Sequence, residues 1–372
     1  MAKLAGIRVL DLSQFLPGPH LTMTMADHGA DVIMVEPKNG VGEPVRAMGT
    51  RAPDGTAVWF RNIARGKRSI ALDLKNKDDL DTFLRLADEA DVILEAFRPG
   101  VTARLGIGYD AIAARNPRIV YCSISAFGQN GPLRDKPSHD LGVQALAGTL
   151  DLSRSFSDGK PNMPNLVAAD MASSLTALSA ILMALLARER TDKGEYVDIA
   201  MYDSLLAWTP NIVGSVFGED RAPVPHEMRN YGGQAMNRIY ETGDGGFVVL
   251  AGNEAKFCEN LLRALGRLDF IAVAKGEPGT AQQPLIDYFA ATFKTKTLAE
   301  WETFLAPIDL CWAPVRSLKE SFGDATAAAR AMLLHDESGN PHIGPAIKFR
   351  REPAEPDLEL PDYEPGTTIG WR

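Results

Sequence analysis

Cysteine is scarce in this sequence, and its spacing argues against two classes of protein. The chain of 372 residues has three cysteines, at Cys122, Cys258 and Cys311. They lie far apart and none belongs to a C-x-x-C pair, which argues against both a disulfide framework and a zinc site. We therefore expect no metal.

Long apolar runs and excess positive charge are also absent. The N-terminus, Met-Ala-Lys-Leu-Ala-Gly, lacks the long apolar segment of a signal peptide, and no apolar stretch approaches the length of a membrane span. The net charge is −9, and an acidic chain is repelled by nucleic acid and by anionic membranes. We therefore expect a cytoplasmic protein that has neither of these as a partner.

Glycine-rich nucleotide-binding signatures are missing as well. No G-x-G-x-x-G motif follows the first predicted strand, and the Walker A pattern does not occur. These motifs bring backbone N–H groups close to phosphate in nicotinamide, flavin and nucleoside triphosphate sites. We therefore expect no cofactor site of these usual kinds.

The first half of the chain alternates short apolar strands with helical patterns. Such alternation is typical of parallel βαβ units and predicts a Rossmann-like sheet. The predicted strands are residues 7–10, 31–36, 91–95, 118–124 and 196–200. The predicted helices are residues 20–28, 78–90, 109–114 and 170–188. In the last of these, Met171, Leu175, Leu178, Leu182 and Leu185 are predicted to lie on one face of the helix.

The composition changes after about residue 215, which indicates a second domain. Residues 217–236 are rich in Gly, Pro, Arg and Asn and resemble a linker. Predicted strands at 238–242 and 247–251, joined by Gly-Asp-Gly-Gly, indicate a hairpin, and helices follow at 254–265, 284–293 and 298–305. We predict a large domain from 1–215 and 330–372, and a smaller α+β domain from 225–325.

Three side chains suit proton transfer, although each also has a purely structural interpretation. Asp170 begins the longest predicted helix, where it would act as the N-cap, and the free N–H groups there could stabilise an oxyanion. His139 lies in the loop Lys-Pro-Ser-His-Asp (136–140) and titrates near neutral pH, but most loop histidines are surface residues. Glu254 begins a predicted helix, where an acidic residue favours the helix by itself.

Basic residues are concentrated in one region of this acidic chain. The cluster consists of Arg61, Arg65, Lys67, Arg68 and Lys75, and Arg98 and Arg104 follow a predicted strand. These residues either form a solvated face or bind phosphate, for which their charge and donors are suited. The second interpretation agrees with the location of ligands at the carboxyl ends of parallel strands.

Seven segments of the chain occur in an order that resembles a known family. They are 6–12 (Gly-Ile-Arg-Val-Leu-Asp-Leu), 17–20 (Pro-Gly-Pro-His), 29–37 (Gly-Ala-Asp-Val-Ile-Met-Val-Glu-Pro), 65–75 (Arg-Gly-Lys-Arg-Ser-Ile-Ala-Leu-Asp-Leu-Lys), 97–101 (Phe-Arg-Pro-Gly-Val), 126–132 (Ala-Phe-Gly-Gln-Asn-Gly-Pro) and 193–203 (Lys-Gly-Glu-Tyr-Val-Asp-Ile-Ala-Met-Tyr-Asp). Together they resemble the family III CoA-transferases, a group that includes formyl-CoA and carnitine CoA-transferases and α-methylacyl-CoA racemases.

This resemblance implies a fold, an assembly and a substrate. The fold is a Rossmann-type large domain with a smaller domain, and two chains are threaded through each other as an interlocked homodimer. The substrate is an acyl-CoA thioester, with no cofactor beyond the CoA that the substrate carries. The positions that resemble CoA-contacting residues are Leu72, Lys75, Phe97, Arg98, Arg104 and Leu105.

The resemblance also implies roles for the three candidate side chains. Asp170 matches the catalytic aspartate, which is a nucleophile in the transferases and an acid/base in the racemases. His139 matches the racemase histidine that serves the opposite face of the α-carbon, although Ser138 replaces the glycine before it. Glu254 matches the glutamate that supports this histidine.

These matches favour a racemase or epimerase of 2-methylacyl-CoA thioesters. In this hypothesis His139 and Asp170 exchange the α-proton, and backbone N–H groups at the start of the Asp170 helix polarise the thioester carbonyl. The alternative is a CoA-transferase between carboxylic acids, in which Asp170 forms an anhydride and then an enzyme–CoA thioester. An acyl-CoA binding protein without activity is a third interpretation, although the aspartate is present.

Overall fold

Parallel strands form the main sheet, as the alternating pattern predicts. A computed structural model describes residues 2–155 and 158–372. The strands are β1 (Arg8–Asp11), β2 (Asp31–Pro37), β3 (Arg68–Leu72), β4 (Val92–Glu95), β5 (Val120–Ser125) and β6 (Glu195–Ala200). Their order across the sheet is β3-β2-β1-β4-β5-β6, the order of a doubly wound Rossmann sheet. Its topological switch point, where ligands bind in such folds, therefore lies between β1 and β4.

Helices pack on both faces of this sheet. They are α1 (Pro17–Asp27), α2 (Val58–Ala64), α3 (Lys77–Glu89), α4 (Val101–Arg104), α5 (Tyr109–Ala113), α6 (Asp140–Leu146), α7 (Ala168–Thr191) and α8 (Met201–Leu206). Successive residues of a strand point to opposite faces. Accordingly, Val92 and Leu94 belong to the core cluster that contains Ile181 of α7, whereas Ile93 belongs to the cluster that contains Phe83 of α3.

The chain divides into two compact units, each with its own core. The first consists of Met1–Leu150, Pro164–Thr209 and Asp324–Arg372, and the second of Asp151–Met163 and Pro210–Gly323. The second unit thus includes 151–163, which the sequence prediction placed in the large domain. The last part of the first unit contains α15 (Ala325–Ala329) and the antiparallel pair β10 (Leu333–His335) and β11 (Pro341–Ile343).

The second unit contains an antiparallel sheet and several helices. Its elements are α9 (Gly214–Glu219), β7 (Asn237–Glu241), β8 (Phe247–Ala251), α10 (Ala255–Ala264), α11 (Ile271–Ala274), α12 (Gln283–Phe293), α13 (Leu298–Leu305), β9 (Trp312–Pro314) and α14 (Leu318–Phe322). The predicted hairpin is confirmed, since β7 and β8 pair antiparallel. The predicted linker at 217–236 is wrong in part, because it contains the end of α9 and the short helical turn Pro225–Glu227.

Helix α7 differs from its sequence prediction in two respects. The predicted apolar face is not the buried one, because Leu175 and Leu182 are 45% and 38% exposed, whereas the buried face contains Leu178, Ile181 and Leu185. The helix is also long and apolar enough to cross a membrane, contrary to the expectation that no stretch approaches this length. A core helix of a soluble protein has the same properties, and 44% of the apolar window of α7 is buried inside the protein.

Candidate functional site

A cavity of about 360 Å³ lies at the carboxyl edge of the parallel sheet. Its walls come from the segments that end or follow β1, β2, β3 and β4, which is the region of the switch point. Four of the six residues that the resemblance assigns to CoA line this cavity, namely Leu72, Lys75, Phe97 and Leu105. The cavity therefore combines apolar walls with two exposed ammonium groups, those of Lys75 and of Lys38, and Lys38 pairs with Asp79 at 3.3 Å.

The other two assigned residues, Arg98 and Arg104, do not line this cavity. Both are exposed, and Arg104 is the last residue of α4. A β-carbon added to Gly100 would lie 3.4 Å from Arg104 Nη1 and 3.6 Å from Arg134 Nη2. Two guanidinium groups therefore approach Gly100. Arg134 lies in a loop outside any periodic pattern, so sequence reasoning missed it.

Most of the basic cluster has a structural role. Arg61 pairs with Asp54 and Asp336, Arg65 with Asp27 at 2.7 Å, Lys67 with Asp11 at 3.2 Å, and Arg68 with Asp31 at 2.7 Å. Arg61, Arg65 and Lys67 are buried, and their charges are paired with carboxylates of the same chain. The phosphate-binding hypothesis is therefore wrong for these three, and it is not supported for Arg68. Lys75 is exposed and borders the cavity.

Asp140 caps the Asp170 helix, a role that no local sequence pattern indicates. Its Oδ1 accepts hydrogen bonds from the backbone N–H groups of Ala169 at 2.8 Å and of Asp170 at 3.2 Å. Asp170 is the third residue of α7, and the N-cap position belongs to Val167. The prediction that Asp170 is the N-cap is therefore wrong, because a carboxylate from α6 takes this function.

The capping also changes the expected oxyanion site. The N–H of Ala168 donates to the carbonyl of Leu166, and that of Met171 donates to the carbonyl of Val167. The N–H groups of Ala169 and Asp170 donate to Asp140, so all four backbone N–H groups of the first turn of α7 already have acceptors. The expectation that these N–H groups polarise a thioester carbonyl is therefore wrong.

The Asp170 carboxyl group is partly buried and carries a perturbed pKa. Burial and, to a smaller extent, the nearby Asp140 carboxylate together raise the pKa of Asp170 to about 7. At neutral pH the group is therefore present in both protonation states. A carboxyl group with a pKa close to the working pH is suited to proton transfer.

His139 is linked to this carboxyl group through its neighbour in the chain. It is the N-cap of α6 and directly precedes Asp140, whose side chain binds the first turn of α7. Its imidazole is exposed and meets the edge of the Phe15 ring at a centroid distance of 6.0 Å. The fold of the first unit thus brings the His139 segment next to the N-terminal turn of the helix that carries Asp170.

Glu254 lies in the second unit, where it is exposed and forms the N-cap of α10. Its side chain makes no capping hydrogen bond, so the helix does not use this carboxylate as a cap. His20, in the segment Pro-Gly-Pro-His, has its Nδ1 at 2.9 Å from Ser174 Oγ, one helical turn after Asp170. Among the described residues, no three His, Cys, Asp or Glu side chains are grouped so as to hold a metal ion.

Comparison with known proteins places these features in one family. The family model described as CoA-transferase family III matches residues 4–366. Alpha-methylacyl-CoA racemase from Mus musculus is 31% identical over 96% of this chain and 89% of its own length. Succinyl-CoA:glutarate CoA-transferase from Mus musculus is 29% identical over 96% of this chain and 83% of its own length.

A solved structure agrees with this comparison. A CaiB/BaiF family protein from Brucella suis superposes with a TM-score of 0.82 at 27% identity, and the match covers 97% of this chain and 96% of that protein. Relatives with CoA-transferase names are more frequent than those with a racemase name. Since the family model spans nearly the whole sequence, the chain belongs to CoA-transferase family III.

Proposed function

We propose that this enzyme is a racemase or epimerase of 2-methylacyl-CoA thioesters, which removes the α-proton and returns it to the other face. The observation that supports this proposal is the bond between the His139 segment and the Asp170 helix. Asp140 follows His139 directly and holds the N–H groups of Ala169 and Asp170. The His139 segment and the start of the helix that carries Asp170 therefore belong to one hydrogen-bonded substructure.

The pKa of Asp170 favours acid/base chemistry. Burial raises this pKa to about 7, so the carboxylate can accept a proton and the carboxylic acid can return one at the same pH. General acid/base catalysis of this kind contributes about 10²–10⁴-fold to the rate. A nucleophile, by contrast, needs the ionised form, and a raised pKa reduces the fraction of that form.

In the proposed reaction His139 and Asp170 serve opposite faces of the α-carbon. One group removes the proton, which leaves a planar enolate, and the other protonates it from the second face. Glu254 is proposed to support His139, as the sequence resemblance implies. The charge of the enolate oxygen has to be stabilised by groups other than the N–H groups of the first turn of α7, since these are already bonded.

The CoA part of the substrate is proposed to occupy the cavity at the carboxyl edge of the sheet. Leu72, Phe97 and Leu105 would contact its apolar portions, and Lys75 would pair with a phosphate. Arg104 and Arg98 retain their proposed phosphate contacts outside the cavity. Arg134 joins them in this proposal because it approaches Gly100 together with Arg104.

A second function, CoA transfer between carboxylic acids, is favoured by the names of the relatives. In that reaction the Asp170 carboxylate attacks the thioester carbonyl and expels the CoA thiolate, which forms an anhydride. The thiolate then attacks the aspartyl carbonyl and releases the first acid, and the acceptor acid repeats these steps in reverse. This route uses Asp170 and leaves His139 without a catalytic role.

Incubation of the enzyme with a 2-methylacyl-CoA in D₂O separates the two functions. The racemase proposal predicts deuterium at the α-carbon in the absence of any acceptor acid, measured by mass spectrometry or NMR. The transferase alternative predicts no such exchange, and instead CoA transfer that requires a free carboxylic acid. Hydroxylamine would trap the Asp170 anhydride or thioester only on the transferase route.

A variant at His139 tests the assignment of the second acid/base group. His139→Ala should reduce the exchange rate by about 10²–10⁴-fold if the imidazole transfers the proton. Asp170→Asn removes the other acid/base group and the transferase nucleophile, so it should abolish both racemisation and CoA transfer and serves as the reference for these two activities. Exchange at the wild-type rate in His139→Ala would remove this residue from the mechanism.

A further inference from the structure

Phe15 has a backbone conformation that a bulky residue rarely adopts. It lies in the loop between β1 and α1, next to Gln14, which lines the cavity at the carboxyl edge. Its φ is 67°, in the left-handed region that favours glycine. In residues 2–155 and 158–372, the other non-glycine residues with positive φ are small or bear a short carboxylate: Asp192, Asp220 and Ala331.

A buried carboxyl group holds Phe15 in this conformation. Glu43 is 1% exposed, and its Oε1 accepts a hydrogen bond from the Phe15 N–H at 2.9 Å. The N–H of Glu43 in turn donates to Glu36 Oε2 at 2.6 Å, and Glu36 pairs with Arg46 at 2.6 Å. Strained backbone persists only where its surroundings over-determine it, and this hydrogen-bonded chain meets that condition.

The strained conformation places the Phe15 ring against His139. The two ring centroids are 6.0 Å apart and the planes are at 82°, an edge-to-face arrangement. Because the imidazole is exposed at the start of α6, few neighbours restrict its orientation. A contact of this kind therefore has a large effect on where the imidazole points.

We propose that Phe15 is a positioning residue for His139 and that Glu43 holds Phe15 in place. This inference rests on the proposed function, in which the His139 imidazole exchanges the α-proton. Phe15 orders the imidazole through its ring edge, and the strained φ is the cost of presenting that edge. Glu43 supplies the acceptor that keeps the loop in this conformation.

The first test replaces the ring and leaves the backbone free to adopt the same φ. Phe15→Gly removes the ring and the strain together, whereas Phe15→Tyr retains an aromatic edge. We expect Phe15→Gly to lower kcat for α-proton exchange by about 10- to 100-fold with KM unchanged, since the imidazole is misplaced and substrate binding is not. Phe15→Tyr should restore most of the rate, and a rate in Phe15→Gly equal to the wild type overturns the proposal.

A matched control separates strain from positioning. Asp192 has a φ of 57° at the exposed end of α7, so Asp192→Gly relieves the same kind of strain away from the site. Its exchange rate should equal that of the wild type.

At Glu43, a leucine removes the acceptor for the Phe15 N–H and a glutamine keeps it, so Glu43→Leu should lose more activity than Glu43→Gln. Equal losses in these two variants contradict the role assigned to Glu43.

A double-mutant cycle asks whether Phe15 acts through His139. In a His139→Ala background, Phe15→Gly should cause no further loss of exchange, because the group that it positions is already absent. A loss that multiplies with that of His139→Ala would assign Phe15 to a separate, structural role and overturn the proposal. The thermal midpoint of each variant identifies any that fails to fold.

A measurement on the free enzyme keeps this inference distinct from the proposed function. The ¹⁵N and ¹³C NMR signals of the His139 imidazole should shift in Phe15→Gly, through loss of the ring-current effect and greater mobility, and remain in place in Asp192→Gly. Unchanged signals in Phe15→Gly overturn the inference whatever the exchange assay shows. Absence of exchange in the wild type overturns the racemase proposal alone.

Discussion

Asp140 acts on Asp170 in two ways, through hydrogen bonds and through its charge. The hydrogen bonds satisfy two N–H groups of the first turn of α7, and the charge raises the pKa of the Asp170 carboxyl group. One side chain from α6 therefore fixes the helix and favours the protonated form of its functional group. The two effects are separable by substitution, because an asparagine oxygen accepts hydrogen bonds without a charge.

We expect Asp140→Asn and Asp140→Ala to differ in stability but not in the direction of the pKa change. Loss of the cap in Asp140→Ala should lower the free energy of unfolding by about 1–2 kcal/mol, whereas asparagine retains an acceptor. Both variants remove a negative charge, so the pKa of Asp170 should fall, although burial keeps it above its usual value. The pH profile of α-proton exchange and urea unfolding measure these effects. If the limb of the pH–rate profile that reports Asp170 stays at the wild-type pH in both variants, the prediction is wrong.

Glu95 is a buried acid whose titration should change stability. It is 3% exposed, accepts hydrogen bonds from Ser123 Oγ and the Phe97 N–H, and burial raises its pKa to about 7. The folded protein therefore binds this proton more tightly than the unfolded chain does. The stabilisation is present below the unfolded pKa and is lost as pH rises through about 7.

Substitution of Glu95 by glutamine tests the direction in which the free energy of unfolding changes with pH. Between pH 5 and pH 8 the wild type should lose up to about 3 kcal/mol of unfolding free energy through this group. Glu95→Gln cannot ionise, so its loss over the same interval should be smaller, as measured by guanidinium unfolding at both pH values. Glu43 has a pKa raised in the same direction by burial, so some pH dependence remains. Equal pH dependence in both proteins would contradict the assignment.

At the scale of elements, the sequence predicts what depends on neighbours in the chain. The strands β1, β2, β4, β5 and β6 were predicted because apolar runs alternate with helical patterns. β3 was missed, because Arg65, Lys67 and Arg68 obscure the short apolar run that follows them. The partners of this basic segment are remote in sequence, for example Asp27 for Arg65, and local patterns contain no information about such pairs.

The candidate site also combines features that the local sequence predicts with features that depend on residues remote in the chain. His139 and Asp170 were identified from motif resemblance, but the cap that joins their segments depends on a carboxylate 29 residues before Ala169. The occupied N–H groups of α7 likewise follow from tertiary contacts. The strain at Phe15 was not predictable, because phenylalanine has no local preference for a positive φ.

Replacement of two basic residues of the same cluster should affect different quantities, CoA binding in one case and the free energy of unfolding in the other. Lys75→Ala should weaken CoA binding about tenfold, the loss of one charged contact, and leave stability unchanged because the side chain is exposed. Arg65→Met should lower the free energy of unfolding by about 3–5 kcal/mol, because Asp27 is left buried without its partner. Calorimetric titration with CoA and urea unfolding measure the two quantities. Weaker CoA binding in a folded Arg65→Met protein would contradict the structural role.

At the scale of the whole molecule, the outer face of α7 exposes several large apolar side chains. Leu175, Leu182, Met183 and Leu186 are between 38% and 64% exposed and follow helical spacing, so they form an apolar stripe that the exposed Ser179 interrupts. Exposed apolar side chains that are grouped in this way favour an interaction surface. The family resemblance implies an interlocked homodimer, and we expect the stripe to be covered in that assembly.

We expect the wild type to sediment as a dimer, and Met183→Glu to reduce the dimer fraction in freshly expressed protein, because a charge would be buried in the contact. Ala299→Glu, at an exposed position of α13, introduces the same charge elsewhere and should leave the dimer intact. Threaded chains cannot separate without opening, so differently tagged wild-type dimers should not exchange subunits under native conditions. Rapid exchange would contradict interlocking, and a monomeric wild type that binds lipid vesicles would assign the stripe to a membrane surface.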